Sequence, residues 1–144
     1  MKIAIGTDDK KMIRNGYFDQ SLYYLIIEFL NGEIVSREYR RNPYSASKKG
    51  PHYQGQIEKI LELLGDCSLF MAKGMRKTSL ARLTELGIDC IISKIELIEQ
   101  ALELYLYGGA EAFQYYDARK EALIPCSQRM IKTERKAIND IEAC

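Results

Sequence analysis

In the stretch Cys67–Ser93, CSLFMAKGMRKTSLARLTELGIDCIIS, the residue pattern predicts a strand, a loop, a helix and a second strand in close succession. Cys67–Ala72 is a short apolar run, typical of a strand that is covered on both faces. Leucines spaced three apart give the following segment one apolar face, and Gly87 supplies a left-handed helix end. Ile88–Ile92 is the next strand, and two strands joined by a helix lie parallel with a right-handed crossover. The stretch therefore predicts an α/β protein.

The loop between this first strand and the helix is the leading candidate site, because ligands of open α/β sheets bind beyond the carboxyl ends of the strands. Three of its residues are cations, and either Thr78 or Ser79 is expected to cap the helix. Amides of the first helical turn would add to an anion-binding surface. The sequence thus predicts an anion here, with a solvated basic loop as the alternative. The candidate ligand-binding residues of the loop are Lys73, Gly74, Met75, Arg76, Lys77 and Thr78.

Length and composition indicate one domain with a substantial core. The chain has 144 residues, of which 47% are hydrophobic, and its net charge is +1. This charge balance gives no support for a nucleic-acid or membrane-surface partner. No apolar run approaches the ~18 residues of a membrane helix, and the amino terminus, MKIAIGTDD, turns polar too early for a signal peptide. We therefore expect a cytoplasmic protein, in which Cys67 and Cys90 are free thiols packed as small hydrophobic groups.

The amino-terminal third predicts a meander of strands. Lys2–Thr7 is the first, and Leu22–Leu30 is a second strand rich in β-branched and aromatic residues. Asn31-Gly32, the strongest short hairpin signal, joins it to an antiparallel third strand, Glu33–Arg40. We expect the hairpin at one edge of a three-layer α/β domain, with the first strand between the hairpin and Cys67–Ala72.

Two loops of this region hold further candidate residues. The loop after the first strand contains Tyr17 and Phe18, of which we expect one to pack on the core and the other to line a cleft. A long loop rich in proline, glycine and serine, residues 41–56, carries the only histidine, His52. It is interpreted either as a solvated loop or as one that closes on a ligand.

Helical patterns dominate the rest of the chain. Ile57–Leu64 has the apolar stripe of a first helix. Ser93–Glu96 matches a capping box, which would start a helix that runs to Tyr107. Glu111–Leu123 could be helical, and Ser127–Ile141 would form a last helix with one apolar and one basic side. The residues expected in the core are Ile3, Ile5, Leu25, Ile27, Leu61, Leu64, Phe70, Leu83, Ile91 and Leu102.

Four segments, taken in their order along the chain, resemble the dinitrogenase iron–molybdenum cofactor biosynthesis family, the small nitrogenase-cofactor carrier proteins. They are MKIAIGTDD, GYFDQSLYYLIIEFLNGEIVSREYRRNP, DCSLFMAKGM and LARLTELGIDCII, and the resemblance covers roughly residues 1–109. It implies a ribonuclease H-like fold, with a mixed five-stranded sheet in the order 3-2-1-4-5 and helices on its faces. Residues 110–144 would then be a helical carboxyl-terminal extension, packed on the domain or across a homodimer.

The resemblance also implies a carrier of an iron–sulfur or iron–molybdenum type cluster, but its motifs are altered here. The family often has His-Phe-Gly where this chain has Tyr17-Phe18-Asp19, and Gly-Gly-Met-Gly where this chain has the residues Lys73–Arg76. His52 falls where relatives often have a histidine, and it is the candidate metal ligand. Clusters require thiolate or imidazole, whereas added cations suit an anion. We therefore expect a binding protein rather than an enzyme, one that holds a metal cluster or an anionic small molecule.

Two alternatives come from other functional classes. A ribonuclease H-like metal-dependent nuclease would need clustered carboxylates, for which Asp8 or Asp9 and Glu58 or Glu62 are the candidates. The end of the fourth predicted strand, however, offers a lysine and a glycine instead of an acid. A non-catalytic interaction module would use the basic face of the last helix. No Ser-His-Asp, Cys-His or P-loop pattern is present.

Overall fold

The computed structural model describes residues 1–45 and 56–127, which form a seven-stranded sheet with three α-helices. The strands are β1 (Lys2–Thr7), β2 (Tyr23–Leu30), β3 (Glu33–Arg41), β4 (Leu69–Ala72), β5 (Asp89–Ser93), β6 (Phe113–Asp117) and β7 (Ala122–Pro125). The helices are α1 (Gln56–Leu63), α2 (Lys77–Glu85) and α3 (Ile98–Tyr107). His52 and nearly all of the predicted last helix, with the homodimer assigned to it, lie outside the described residues. None of the described helices combines the length and apolar character that a bilayer-spanning helix needs.

The strand order is β3-β2-β1-β4-β5-β6-β7, so β1 lies between the hairpin and β4 as predicted. β1 pairs antiparallel with β2 and parallel with β4, and β4 is also parallel to β5. The last residues of these three parallel strands are Thr7, Ala72 and Ser93. They therefore meet at one side of the sheet, which we call the carboxyl edge.

The β2–β3 hairpin forms where the sequence predicted it. Asn31 and Gly32 both have positive φ, 54° and 78°. Positive φ at both central residues is the type I′ geometry, whose twist matches that of the flanking strands. Asparagine and glycine tolerate this conformation better than other residues do, which explains why a turn forms at this dipeptide.

Apolar side chains cover both faces of the sheet and give three layers. Ile3 and Ile5 point to the face covered by α3, whereas Ala4 between them points to the face covered by α1 and α2. This alternation follows from the two-residue period of a strand. All residues expected in the core are buried except Leu61, which is partly buried against the α1 and α2 side. The three-layer prediction is confirmed.

The predictions of a five-stranded sheet and of a helix over Glu111–Leu123 were wrong. The chain instead adds β6 antiparallel to β5, and β7 antiparallel to β6. Aromatic residues favour strands, and here Phe113 and Tyr116 pack on opposite faces of the sheet. Pairing with β6 also removes the open edge that β5 would otherwise expose.

Both predicted helix caps were wrong as well. α2 begins two residues earlier than a Thr78 cap would allow, with Arg76 at the N-cap position, and Ser79 is buried inside the helix. Ser93 is the last residue of β5, where it pairs with Phe113, so it cannot also start a helix. Its hydroxyl instead accepts a hydrogen bond from the amide of Ile95 at 2.9 Å. α3 therefore begins only at Ile98.

An ion cluster joins β1 and β3 to the segment between α1 and β4. Arg40 contacts both carboxylate oxygens of Asp66, at 2.6 and 2.7 Å, and Lys2 contacts one of them at 3.1 Å. Arg40 also donates to the carbonyl oxygen of Leu63, at the end of α1. These hydrogen bonds, first that of Arg40, hold the pKa of Asp66 well below its usual range.

The Asp66→Asn variant is expected to lower the free energy of unfolding at pH 7, and to lower it by less at pH 3. Because the folded-state pKa is depressed, the carboxylate stabilises the fold above the unfolded-state pKa of about 3.9. This contribution is lost as the pH falls through the folded-state pKa. Urea unfolding of both proteins at the two pH values measures it. An equal difference at both pH values would contradict the assignment.

Candidate functional site

At the carboxyl edge, the loop after β1 lies directly against the turn between β4 and α2. The amide of Phe18 donates a hydrogen bond to the carbonyl oxygen of Gly74 at 3.0 Å. Tyr17 and Gly74 form an isolated parallel β-bridge at the same place. The structure therefore brings together the two segments that the sequence singled out separately.

Phe18 anchors the first of these segments in the core. Its ring is 1% exposed and stacks on Phe70, with ring centroids 4.8 Å apart and an interplanar angle of 18°. The ring of Tyr24 lies 4.8 Å away on another side, and its hydroxyl donates to the carbonyl oxygen of Phe18 at 2.7 Å. Tyr17, by contrast, is 44% exposed. One aromatic residue thus packs on the core, as predicted, and the other lies at the surface.

The contact between the two segments depends on the absence of a side chain at position 74. A β-carbon there would lie 2.9 Å from the carbonyl oxygen of Gly16. Backbone atoms on both sides of this contact are held by the Phe18–Gly74 hydrogen bond, so neither has room to withdraw. Glycine is therefore required by close approach of two backbones.

Arg76 completes the cluster. The central carbon of its guanidinium group lies 4.2 Å from the centroid of the Tyr17 ring, a cation–π geometry. Its Nε atom is 3.7 Å from Oδ2 of Asp19. Met75, next to it, is partly buried against the apolar layer under α1 and α2. We call Tyr17, Gly74, Met75 and Arg76 the loop site.

The other predicted cations of this turn have different surroundings. Nζ of Lys73 lies 3.3 Å from the carboxylate of Glu96, in the loop before α3. Lys77 and Thr78 are exposed in the first turn of α2. Arg76 therefore contacts the Tyr17 ring, whereas Lys73 forms an ion pair with Glu96.

Sequence reasoning missed Asp19 as a feature of the site. The residue is 1% exposed, although an aspartate in a polar loop is usually solvated. Burial raises the pKa of its carboxyl group, while the positive charges of Arg76 and Arg14 act in the opposite direction. No local sequence pattern predicts the burial of Asp19, because it results from the anchoring of the neighbouring Phe18 in the core.

Three of the four carboxylates considered for a nuclease are engaged in local structure, and the fourth, Glu62, is exposed. Asp8 forms an ion pair with Arg14 at 2.6 Å. Asp9 accepts hydrogen bonds from two amides of its own turn, which lower its pKa. Glu58 forms an ion pair with Arg82 at 2.6 Å. Within residues 1–45 and 56–127 there is no group of three or more histidine, cysteine, aspartate or glutamate residues that could hold a metal ion. The described residues therefore do not favour two-metal chemistry.

The donor groups of the loop site also do not match a metal cluster. A guanidinium, a phenol ring and backbone amides are present, and the four residues of the site include neither a thiol nor an imidazole. Cys67 and Cys90 are buried free thiols, as expected, and burial raises the pKa of each to about 12. Neither is a thiolate at neutral pH. The arrangement suits an anion, which such groups bind through charge and hydrogen bonds.

A cavity of about 640 Å³ opens elsewhere on the surface, between the turn after β1 and α3. It shares no lining residue with the loop site. Its walls carry charges of both signs, and they include Lys10, Lys11, Glu99 and Glu103. A wall of mixed charge does not select an anion, so we assign the candidate site to the loop site.

Comparisons with known proteins identify the family through one family model and the fold through solved structures. A family model described as dinitrogenase iron–molybdenum cofactor matches residues 1–109. An uncharacterised protein of Methanocaldococcus jannaschii is 25% identical over 114 residues, which are 79% of this chain and 92% of the relative.

Solved structures share the fold at lower identity. A candidate dinitrogenase of Methanocaldococcus jannaschii has a TM-score of 0.59 at 18% identity, over 80% of this chain and 93% of that one. A candidate NifB protein of Thermotoga has a TM-score of 0.53 at 14% identity, over 74% of this chain and 88% of that one. The strands β6 and β7 lie beyond the segment that the family model matches.

Proposed function

We propose, because this chain belongs to the dinitrogenase iron–molybdenum cofactor family, that it is a non-catalytic binding protein that holds an anionic cargo at the loop site. The cargo is a small oxyanion or a cofactor component with anionic groups. Family membership supports a role in handling a cofactor or its parts, and the residues of the site support the anionic character of what is bound.

The observation that carries the proposal is the position of Arg76. Its guanidinium group lies over the Tyr17 ring, where the first turn of α2 meets the carboxyl edge of the sheet. No side chain caps this turn within the described residues. Its amide groups therefore remain available to an acceptor beside the guanidinium group. A cation and the amino end of a helix together favour a negatively charged ligand.

The same geometry limits how a metal-containing cargo would be held. Without thiolate or imidazole at the loop site, the protein would contact the anionic exterior of a cluster rather than its metal atoms. Binding by charge is weaker than metal ligation and more readily reversed, which suits a carrier. His52, outside the described residues, remains the predicted metal ligand for the coordination alternative.

Replacing Arg76 with alanine is expected to weaken the binding of a phosphate probe by about 10- to 100-fold. The loss of a charge-assisted hydrogen bond, about 1.5–3 kcal/mol, accounts for this range. Isothermal titration calorimetry of phosphate into the wild-type and variant proteins gives the two dissociation constants. Arg82→Ala is the matched control, because Arg82 lies on the same helix but pairs with Glu58 and Glu85. Equal losses in the two variants would point to net charge alone.

Anaerobic reconstitution with iron and sulfide separates the coordination alternative from anion binding. We expect any iron retained by the protein, measured by absorbance and iron content, to fall in the Arg76→Ala variant. A different outcome would mean that the cargo is bound through metal ligation. In that outcome, the protein holds iron stoichiometrically, His52→Ala loses it, and Arg76→Ala retains it. In that case the loop site would not be the cargo site.

A further inference from the structure

Asp19 is a buried carboxylate whose position is fixed by its surroundings. It lies in a short 3₁₀ turn, Phe18–Gln20, directly after the residue that anchors the loop in the core. The side-chain amide of Asn42 donates to the carbonyl oxygens of Asp19 and Ser21, at 3.2 and 2.8 Å. Only 2% of the Asp19 side chain is exposed. These contacts hold the backbone of the turn, and the carboxylate lies below the surface beside it.

Both carboxylate oxygens of Asp19 are buried and accept no hydrogen bond within the described residues. Oδ2 lies 3.7 Å from Nε of Arg76, which gives attraction between charges but is too long for a hydrogen bond. An unsatisfied buried carboxylate is costly, and in native proteins such a group calls for a specific explanation. These two carboxylate oxygens lie beside Arg76, the residue that we propose binds the anionic cargo.

Three described residues place a charged or titratable group near Asp19. Arg76 approaches from the turn before α2, and Arg14 from the loop after β1, where it is also paired with Asp8. Tyr24 approaches from β2, and its phenol interacts with the Asp19 charge. The described surroundings thus provide positive charge but no hydrogen-bond donor to the Asp19 oxygens.

We propose that the loop site selects oxyanions that carry a proton, of the hydrogenphosphate type, because the ligand's own O–H group can donate to Asp19. The proposal rests on the proposed function of the loop site. An oxyanion bound by Arg76 would bring one oxygen towards Asp19. A protonated oxygen would satisfy the buried acceptor, whereas a fully deprotonated oxyanion would face it with like charge. Buried acceptors of this kind reject ligands that lack the matching donor.

Inorganic phosphate and sulfate are the probes, because they match in size and differ in carrying a proton at neutral pH. Wild-type protein is expected to bind phosphate at least about tenfold more tightly than sulfate, since one unmatched buried polar group suffices for such a ratio. In Asp19→Asn, the amide group can donate to either anion. Sulfate should then bind more tightly, and the ratio should fall to within about threefold. Asp66→Asn, which removes the carboxylate paired with Arg40 and Lys2, is the matched control.

A pH titration of the wild-type protein keeps the proposal testable if Asp19→Asn does not fold. The pKa of the Asp19 carboxyl is raised. As the pH falls through it, the neutral carboxyl becomes a donor and loses its repulsion. Sulfate affinity is therefore expected to rise with acidification. Carbon-13 NMR of labelled aspartate should show that saturating sulfate raises the Asp19 pKa further, which is the reciprocal effect.

The possible results separate this inference from the proposed function. Equal binding of phosphate and sulfate by the wild-type protein, or a phosphate preference that Asp19→Asn leaves unchanged, would overturn the role of Asp19 while the anion site stands. An Arg76-dependent phosphate affinity without any pH response of sulfate binding would do the same. Binding of neither probe, in wild type or Asp19→Asn, would overturn both the inference and the small-oxyanion form of the proposed function.

Discussion

Replacing Phe18 with alanine is expected to lower the free energy of unfolding by about 3–5 kcal/mol, the usual cost of removing a buried aromatic ring. The ring contacts both Phe70 and Tyr24, so its removal opens a cavity between β2, β4 and the loop. This is a large fraction of the stability of a typical domain. The loop that carries Tyr17 and Asp19 would lose its anchor, and anion affinity should fall with it. Urea unfolding and calorimetry measure the two effects.

Tyr17→Ala is the informative comparison, because Tyr17 is the adjacent aromatic residue but is partly exposed. It should cost less than about 1 kcal/mol of stability, since it leaves no buried cavity. It nevertheless removes the ring beneath the Arg76 guanidinium group, so anion binding should weaken. If Phe18→Ala were no more destabilising than Tyr17→Ala, the assignment of Phe18 as the anchor would be incorrect.

Replacing Gly74 with alanine is expected to separate the two segments of the loop site. The new methyl group would lie 2.9 Å from the carbonyl oxygen of Gly16, closer than van der Waals contact allows. Either the Phe18–Gly74 hydrogen bond breaks or the turn before α2 shifts. We expect a destabilisation of about 1–3 kcal/mol, typical of overpacking. Because Arg76 would no longer face Tyr17, phosphate affinity should fall at least about tenfold, the change expected from losing one such interaction.

Gly65→Ala serves as the control for this substitution. A β-carbon at Gly65 would meet the carbonyl oxygen of Leu61 at 3.4 Å, an ordinary contact. It therefore adds the same methyl group without a clash, and both stability and anion affinity should change little. Amide chemical shifts of Phe18 report the local geometry directly. A Gly74→Ala protein with the wild-type Phe18 shift and undiminished phosphate binding would show that close docking of the two segments is not needed.

The two substitutions test different parts of one mechanism. Phe18 fixes the height of the loop above the sheet, because its ring is held in the core. Gly74 fixes the distance between the loop and the turn before α2. Arg76 and Asp19 can act on one ligand only if both conditions hold. The proposed site thus depends on the packing of two separate segments rather than on a contiguous sequence motif.

Local sequence patterns determined much of the fold. The Asn31-Gly32 turn, the apolar stripe of α1 and the β4–α2–β5 unit depend on residues close together in the chain. For such elements, conformational preference and hydrophobic period decide the structure before any distant contact forms. The order of β1 to β5 followed from the resemblance together with these elements. The burial of the predicted core followed from the same periodicity.

Tertiary structure decided what local patterns left ambiguous. Phe113–Asp117 forms β6 because it pairs with the edge of β5. Ser93 belongs to β5 and therefore does not cap a helix. At the site, the sequence identified Tyr17, Phe18 and the turn after β4, but not their contact with one another or the turning of Lys73 towards Glu96. Nor did it identify Asp19, whose burial depends on the anchoring of Phe18 in a core built from distant strands. Local preference acts within a few residues of chain, whereas the burial and pairing of charged groups depend on which segments the fold brings together, and no window of sequence contains that information.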